Sequence, residues 1–335
     1  MKILGIESSC DDTSVALVDI KNNKIEILAE RTASQIEIHR KYGGVVPEIA
    51  GRMHAEKILP VIEEVMNNQE KPDVIAVTSG PGLITGLLVG VEAAKTLSML
   101  WDVPLIGVNH IEGHIHSVKI QNTDNKIQYP LLALVASGGH SEIILSIKEG
   151  EYEKIGGTKD DAAGEAFDKV AKLLGFDYPG GPKISKFAQE GDPSTIKFPR
   201  PMINSKDFDF SFSGLKTAAL YHLRDNPKED VNNFCASFEQ AVVDLLVSKT
   251  LKAVKKYNPK TVILAGGVSA NKKLRETLKS EIKKQSPNSL FLIPYSSYCM
   301  DNAAMIAVAA YHHTNKKEFT NWKDLKANPN WKIYE

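Results

Sequence analysis

One pattern occurs twice in this chain of 335 residues: LGIESSCDDTSVALVD at 4–19 and ALVASGGHSEIILSI at 133–147. Each copy runs as an apolar strand, a tight turn of small and polar residues, a Ser or Thr, and a second apolar strand, so the chain reads as duplicated. The turn of such a hairpin presents a row of backbone N–H groups and hydroxyls, the groups needed to cradle a phosphate, and two facing hairpins would hold one nucleotide in a cleft. Glycine and serine turns are also simply turns, so the pattern alone leaves both readings open. A third element, VILAGGVSANKKLRETL at 262–278, is a buried strand ending in Gly266-Gly267. Ser269 and Asn271 follow where an N-cap belongs, and then comes a Lys-rich amphipathic helix. Glycines at a strand end let a flat ring approach the backbone, and Asn271 offers both a donor and an acceptor.

Other short β-rich runs (DVIAVTS, VPLIGV, LFLIPY) alternate with helical stretches at 47–69, 85–100, 162–174, 231–257 and 271–284. That alternation indicates an α/β protein. Lys plus Arg and Asp plus Glu number 41 each, so no overall field draws the chain to polyanions and any contact with nucleic acid needs a local patch. MKILGIESSC reaches acidic side chains too soon for a secretory h-region, and no later apolar run is both charge-free and long enough to span a bilayer. A cytoplasmic location without a membrane is the expectation. Cys10, Cys235 and Cys299 are odd in number and scattered, which argues against a disulfide frame or a thiolate zinc site.

HIEGHIHS at 110–117 carries the densest group of metal-ligand types. His110 and His114 are four residues apart, so on a helix they share a face, about 40° apart, and can reach one metal ion, while the spacing alone equally fits two exposed or core-satisfied histidines. Glu112 is turned by roughly 200° from His110. In an H-E-x-x-H protease the Glu directly follows the first His and lies at the metal-bound water, so the order here argues against that chemistry. His116 falls outside the pattern and reads as a surface residue.

The order strand-turn-strand, its repeat, then strand-Gly-Gly-helix resembles the actin, sugar kinase and Hsp70 superfamily. Longer strings narrow this: GIESSCDDTSVAL, YGGVVPEIAGRMH, SGPGLITGLLVG, HIEGH, LVASGGHSEI, DDAAGEAFDKVAKLLGFDYPGGP, FPRP, DFSFSGLKTA, LAGGVSAN and DNAAMIA. In order, and over almost the whole chain, they resemble the tRNA N6-adenosine threonylcarbamoyltransferase family (TsaD, formerly O-sialoglycoprotein endopeptidase). His140 after the two glycines is similar to the bacterial branch, while Ala136 and Ser141 are small departures from it.

The resemblance implies an α/β, actin-like and Hsp70-like (ASKHA) duplicated two-domain fold with an interdomain nucleotide cleft. The expected domains are 1–115 plus about 310–335, and 116–309. It implies a divalent metal ion, Fe²⁺ with Zn²⁺ as the alternative, held by His110, His114 and Asp301. Asp301 begins an apolar helix, where a carboxylate is also a natural N-cap. Implied substrate contacts are Val135, Ala136, Ser137, Gly138 and Gly139 of the turn, with Asp168, Gly181 and Asn271. A plain reading of Asp168 is an i,i+4 pair with Lys172. Ser8, Ser9, Asp11 and Asp12 would sit near phosphate or a cation, and no residue is assigned as general base. The implied reaction moves the threonylcarbamoyl group from threonylcarbamoyl-AMP to the N6 amine of the tRNA adenosine 3′ of the anticodon, position 37, releasing AMP. Implied accessory proteins are TsaB and TsaE. KAVKKYNPK (252–260) and KKLRETLKSEIKK (272–284) are the densest basic stretches, interleaved in the second case with Glu. Gly82, Gly86 and Gly90 at helical spacing permit close packing, either within the domain or against a partner's helix.

Overall fold

The computed structural model describes residues 1–22, 24–120 and 127–334. The chain forms two compact units, Met1–Lys126 with Pro294–Glu335 (unit 1) and Ile127–Ile293 (unit 2).

Unit 1 contains β1 (Lys2–Glu7), β2 (Asp12–Lys21), β3 (Lys24–Ser34), α1 (Ile36–Arg40), α2 (Pro47–Met66), β4 (Val74–Gly80), α3 (Ile84–Trp101), β5 (Leu105–Asn109) and α4 (His110–His116). Unit 2 contains β6 (Leu131–Ala136), β7 (Ser141–Ser146), β8 (Glu153–Gly157), α5 (Ala163–Leu173), α6 (Gly180–Ala188), α7 (Ser213–Asp225), α8 (Val231–Tyr257), β9 (Thr261–Ala265), α9 (Lys272–Gln285) and β10 (Leu290–Leu292). The chain then returns to unit 1 as α10 (Ala303–Asn315). The strand orders are β3-β2-β1-β4-β5 and β10-β9-β6-β7-β8. In each sheet the first strand pairs antiparallel with the second and the second antiparallel with the third. The first also pairs parallel with the fourth, and the fourth parallel with the fifth. The duplication read from two hairpins therefore extends to the whole sheet.

The parallel strands β4, β6 and β9 are buried along their entire length, which is why they read as unbroken apolar runs rather than alternating ones. Their faces are covered by helices whose ends follow local rules. Pro47 starts α2, where a missing N–H costs nothing. Asp102 and Asn258 end α3 and α8 in the left-handed conformation, with φ of 51° and 45°.

The expected domain boundaries are corrected by α10. Its residues Ala303 to Ala310 are buried among Ile3, Ala16, Val18, Ala76 and Val108, so the whole helix belongs to unit 1 and not only the chain from about 310. The unit 1 side of the first boundary likewise extends past 115, because Ile120 joins the same cluster.

α3 is long and apolar enough, by length and composition, to cross a membrane. It carries Glu92 and Lys95, and its Leu87, Val91 and Ala94 are buried in the unit 1 core. The glycines ahead of and within it face their own unit. A Cβ on Gly82 would meet the Ser9 carbonyl oxygen at 2.6 Å, one on Gly86 the Ser8 carbonyl oxygen at 2.3 Å, and one on Gly90 the Ser8 Oγ at 2.3 Å. Their absent side chains make room for the β1–β2 turn.

Candidate functional site

In unit 1 the side chains of interest meet where β1 and β5 end. Asn109 closes β5 and caps α4, its Oδ1 accepting from Ile111 N at 2.9 Å, while its Nδ2 donates to the Trp331 carbonyl at 3.3 Å. α4 then places His110 and His114 on one face, their rings 4.6 Å apart and nearly perpendicular. Asp301 lies just before α10. The N-cap of that helix is Asn302, whose Oδ1 accepts from Met305 N at 2.9 Å, so the capping role open to Asp301 is taken by its neighbour. His110 Nε2 and His114 Nε2 approach Asp301 Oδ1 at 3.5 and 3.2 Å, and one ligand atom from each of the three residues lies within 4.8 Å of the others.

Sequence reasoning missed Glu7, the last residue of β1 and fully buried. Its Oε2 accepts from His110 Nδ1 at 3.0 Å and from Thr78 Oγ1 at 2.6 Å, and its Oε1 accepts from Ser9 N at 2.6 Å. Burial pushes the Glu7 carboxyl up, but the His110 imidazole beside it prevails and holds it below the usual range. Burial pushes the His110 imidazole down, and the Glu7 and Asp301 carboxylates overcome this and raise it to about 9. Glu7 can only accept when ionised, so His110 Nδ1 carries the hydrogen and Nε2 is directed at Asp301. The only trace of Glu7 in the sequence is an acid closing an apolar strand, which a turn residue would also give.

His114 is fully buried, and neither ring nitrogen makes a hydrogen bond; the 3.2 Å approach to Asp301 lacks the geometry of one. Buried polar atoms are rarely left so, and two imidazole nitrogens with a carboxylate oxygen form a donor set suited to a divalent ion. The residues fit the metal that the sequence suggests.

Other expectations in unit 1 resolve differently. His116 is buried rather than at the surface, with Nε2 3.9 Å from Glu112 Oε1. Glu112 turns away from the histidine face, as its spacing requires, and is buried against His313 at 3.0 Å. Ser8 and Ser9 are buried, and Ser9 Oγ lies 3.2 Å from His110 Nδ1. The turn is held from below by His54, bonded to Thr13 Oγ1 at 2.8 Å and to the Cys10 carbonyl at 3.0 Å. Burial pushes the Asp12 carboxyl up to about 7. The three cysteines form no disulfide, and burial keeps the thiols of Cys10 and Cys235 protonated.

In unit 2 the expected substrate contacts form a rim. Val135 and Ala136 end β6, and Ser137 closes the turn, its N donating to the His140 carbonyl at 2.8 Å. A Cβ added at Gly138 or Gly139 would meet nothing within 4 Å. The start of α5 abuts this turn, Gly164 N donating to the Ser137 carbonyl at 3.1 Å. Along α5, Asp168 Oδ1 accepts from Gly180 N at 2.7 Å, which ties it to the first turn of α6, where Gly181 also lies. Ser185 of α6 accepts from Asn271 Nδ2 at 2.9 Å, and Gly266 returns to β6, where a Cβ would meet the Ala136 carbonyl oxygen at 2.5 Å. Asn271, not Ser269, caps α9, with Oδ1 accepting from Leu274 N at 2.8 Å. Its second N–H contact is the buried Glu239, Oε1 at 2.6 Å. Both of its amide hydrogens are therefore engaged within unit 2. Glu239 and Ser185 were not singled out in the sequence, although an acid inside the apolar run FEQAVVDLL is a visible signal.

The family model for TsaD, tRNA N6-adenosine threonylcarbamoyltransferase, matches residues 26–308. The chain belongs to this family. A tRNA N6-adenosine threonylcarbamoyltransferase of Listeria innocua is 49% identical, aligned over 98% of this chain and 95% of its own length. One of Thermosipho africanus is 49% identical over 99% of this chain and all of its own length, and one of Bacillus cereus is 47% identical. Among solved structures, full-length HypF in its phosphate- and nucleotide-bound form aligns with a TM-score of 0.60 at 14% identity, over 96% of this chain and 47% of HypF. Component A of the Acidaminococcus fermentans (R)-2-hydroxyglutaryl-CoA dehydratase gives 0.52 at 13% identity, over 94% and 99%. These two likenesses establish the ASKHA fold. As a member of the threonylcarbamoyltransferase family, the chain is a tRNA-modifying acyltransferase.

Proposed function

We propose that this chain transfers the threonylcarbamoyl group of threonylcarbamoyl-AMP to the N6 amine of the tRNA adenosine at position 37, releasing AMP. The observation that carries the proposal is the convergence of His110, His114 and Asp301, with the buried His114 nitrogens lacking hydrogen bonds. These three residues would hold one divalent ion, iron by family likeness and zinc as the alternative that the same donors accept. Such an ion, when bound, supplies Lewis-acid polarisation of the carbamoyl carbonyl.

The chain's own residues do the rest. Glu7 orients His110 by accepting a hydrogen bond from its Nδ1, and Asn109 fixes the start of α4. In unit 2, the backbone N–H groups of Gly138 and Gly139, at the open end of the Val135–Ala136–Ser137–Gly138–Gly139 segment, would bind the donor's phosphate or carboxylate, since Ser137 N is held by the His140 carbonyl and the space at the two glycines is open. Asp168, steadied by the Gly180 N–H, suits a ribose hydroxyl, and Gly181 allows close approach. Asn271 would meet the nucleotide through its remaining acceptor capacity while Ser185 and Glu239 hold its amide. An aromatic amine is a poor nucleophile, so positioning carries much of the acceleration. TsaB and TsaE are the accessory proteins proposed by family likeness, and the cytoplasm the location.

The test is reconstitution with tRNA, threonylcarbamoyl-AMP and the accessory proteins. Modified adenosine and AMP are expected only when tRNA and donor are both present, with His110→Ala, His114→Ala and Asp301→Ala each losing most of the activity. Full activity in all three variants would remove the metal from the account, and AMP release independent of tRNA would remove the transfer.

A further inference from the structure

We infer that Glu112 and His313 clamp α4 to α10 and so fix the His110–His114 face against Asp301, which makes both of them positioning residues for the metal site. The inference rests on the metal reading above and assigns the one acid of HIEGH a task that the reaction itself leaves open.

The geometry is that of a short helix held on both sides of a crossing. α4 has seven residues, about 10 Å of helix, too short to hold its own orientation without tertiary contacts. It touches α10 at Gly113, where a Cβ would lie 2.8 Å from Ile306 Cδ1 and 3.3 Å from Met305 Cγ. On one face of α4, His110 and His114 meet Asp301, which precedes the first turn of α10. On the opposite face, Glu112 Oε2 meets His313 Nε2 at 3.0 Å in the last turn of α10. Ala303, two residues after Asp301, and His313 are separated by about 15 Å of helical rise. α4 is thus tied to both ends of α10, with the glycine contact between the ties. Any pivot about Gly113, or roll of α4 about its axis, that drew the imidazoles from Asp301 would have to break the Glu112–His313 contact.

The far tie is itself braced. Glu318 Oε2 holds His313 Nδ1 at 2.7 Å, so the imidazole bridges two carboxylates and its ring is fixed in two directions. Glu112 is 4% exposed, and a carboxylate so far from water requires a hydrogen-bonded partner. Metal ligands have to be held within about 0.5 Å of the working geometry, a tolerance that a loosely attached two-turn helix does not meet.

The test measures Co²⁺ affinity and the visible absorption of bound Co²⁺ in the full-length protein, with thermal unfolding of each variant alongside. His313→Ala and Glu112→Ala are expected to weaken Co²⁺ binding about tenfold each and to alter the absorption band. Because each variant removes the same Glu112–His313 contact, the double variant should bind within about twofold of the weaker single variant. Glu112→Gln retains an oxygen that accepts from His313 and should restore affinity to within about threefold of the parent. Val18→Ala, in the same core cluster, lowers the melting temperature but should leave Co²⁺ affinity and spectrum unchanged, which separates positioning from general packing. If the alanine variants do not fold, His313→Leu fills the space without a donor and gives the same reading. Parent-like affinity and spectrum in the folded clamp variants would overturn the clamp alone. A parent that does not bind Co²⁺, or binds it equally well as His114→Ala, would overturn the metal reading and the clamp with it.

Discussion

The turn joining β1 to β2 and the turn joining β6 to β7 occupy the same place in two sheets of the same strand order, and they are built in opposite ways. In unit 1 the turn is packed shut. Ser8 and Ser9 are buried, Ser8 Oγ donates to the Gly86 carbonyl at 3.0 Å, and the glycines at 82, 86 and 90 accommodate it. In unit 2 the turn is open: Gly138 and Gly139 are exposed, with nothing within 4 Å of where a side chain would start. A turn filled by its own unit can only position other groups, and here it steadies Glu7 and, through Glu7, His110. An open turn keeps its backbone N–H groups available for a ligand. One scaffold therefore carries a packed turn that steadies His110 in one copy and an open turn in the other.

Gly86→Ala attacks the closed turn most directly. Alanine gains about 1 kcal/mol in helix propensity, but a methyl 2.3 Å from a backbone oxygen costs about 1–3 kcal/mol or more, so overpacking prevails. The expected result is a lower melting temperature and weakened metal binding; an unchanged melting temperature would mean the turn is not packed as described. A smaller effect concerns His313. Burial pushes its imidazole down, but Glu112 and Glu318 more than compensate and raise it to about 9. A folded-state value above the unfolded one, about 6.5, means that its stabilisation is full below that pH and lost as pH rises through about 9. The melting-temperature gap between the parent and His313→Gln should thus be widest near pH 6 and close by about pH 10. A gap that widens with rising pH would contradict the charged pair. Gly138→Ala should have the smallest effect on stability, within about 0.5 kcal/mol, while reducing AMP affinity. If AMP binds Gly138→Ala as well as the parent, the open turn is not where phosphate sits.

The contrast between the turns also marks what the sequence could reveal. The paired hairpins, β4 and β9 were legible because strands buried on both faces leave unbroken apolar runs. β3 and β8 were not among the expected strands. Both lie at sheet edges, half exposed, with charged residues breaking the alternation. α6 and α7 open with Gly-Gly-Pro and Ser-Gly, poor helix formers whose place is set by tertiary contacts instead. The facing of His110 and His114 followed from helical spacing, but the arrival of Asp301 beside them depended on family likeness, because the intervening chain builds a different unit. The burial of Glu112 was hidden for a related reason: it depends on His313 of α10, about two hundred residues later in the chain.

The division of labour between the two units is tested most directly by measuring metal content and AMP affinity together in parent, His114→Ala and Gly138→Val. The account predicts that His114→Ala loses the metal and keeps parent-like AMP affinity, while Gly138→Val keeps the metal and loses AMP. A single variant that abolishes both, or a His114→Ala protein that still holds one metal ion per chain, would contradict it.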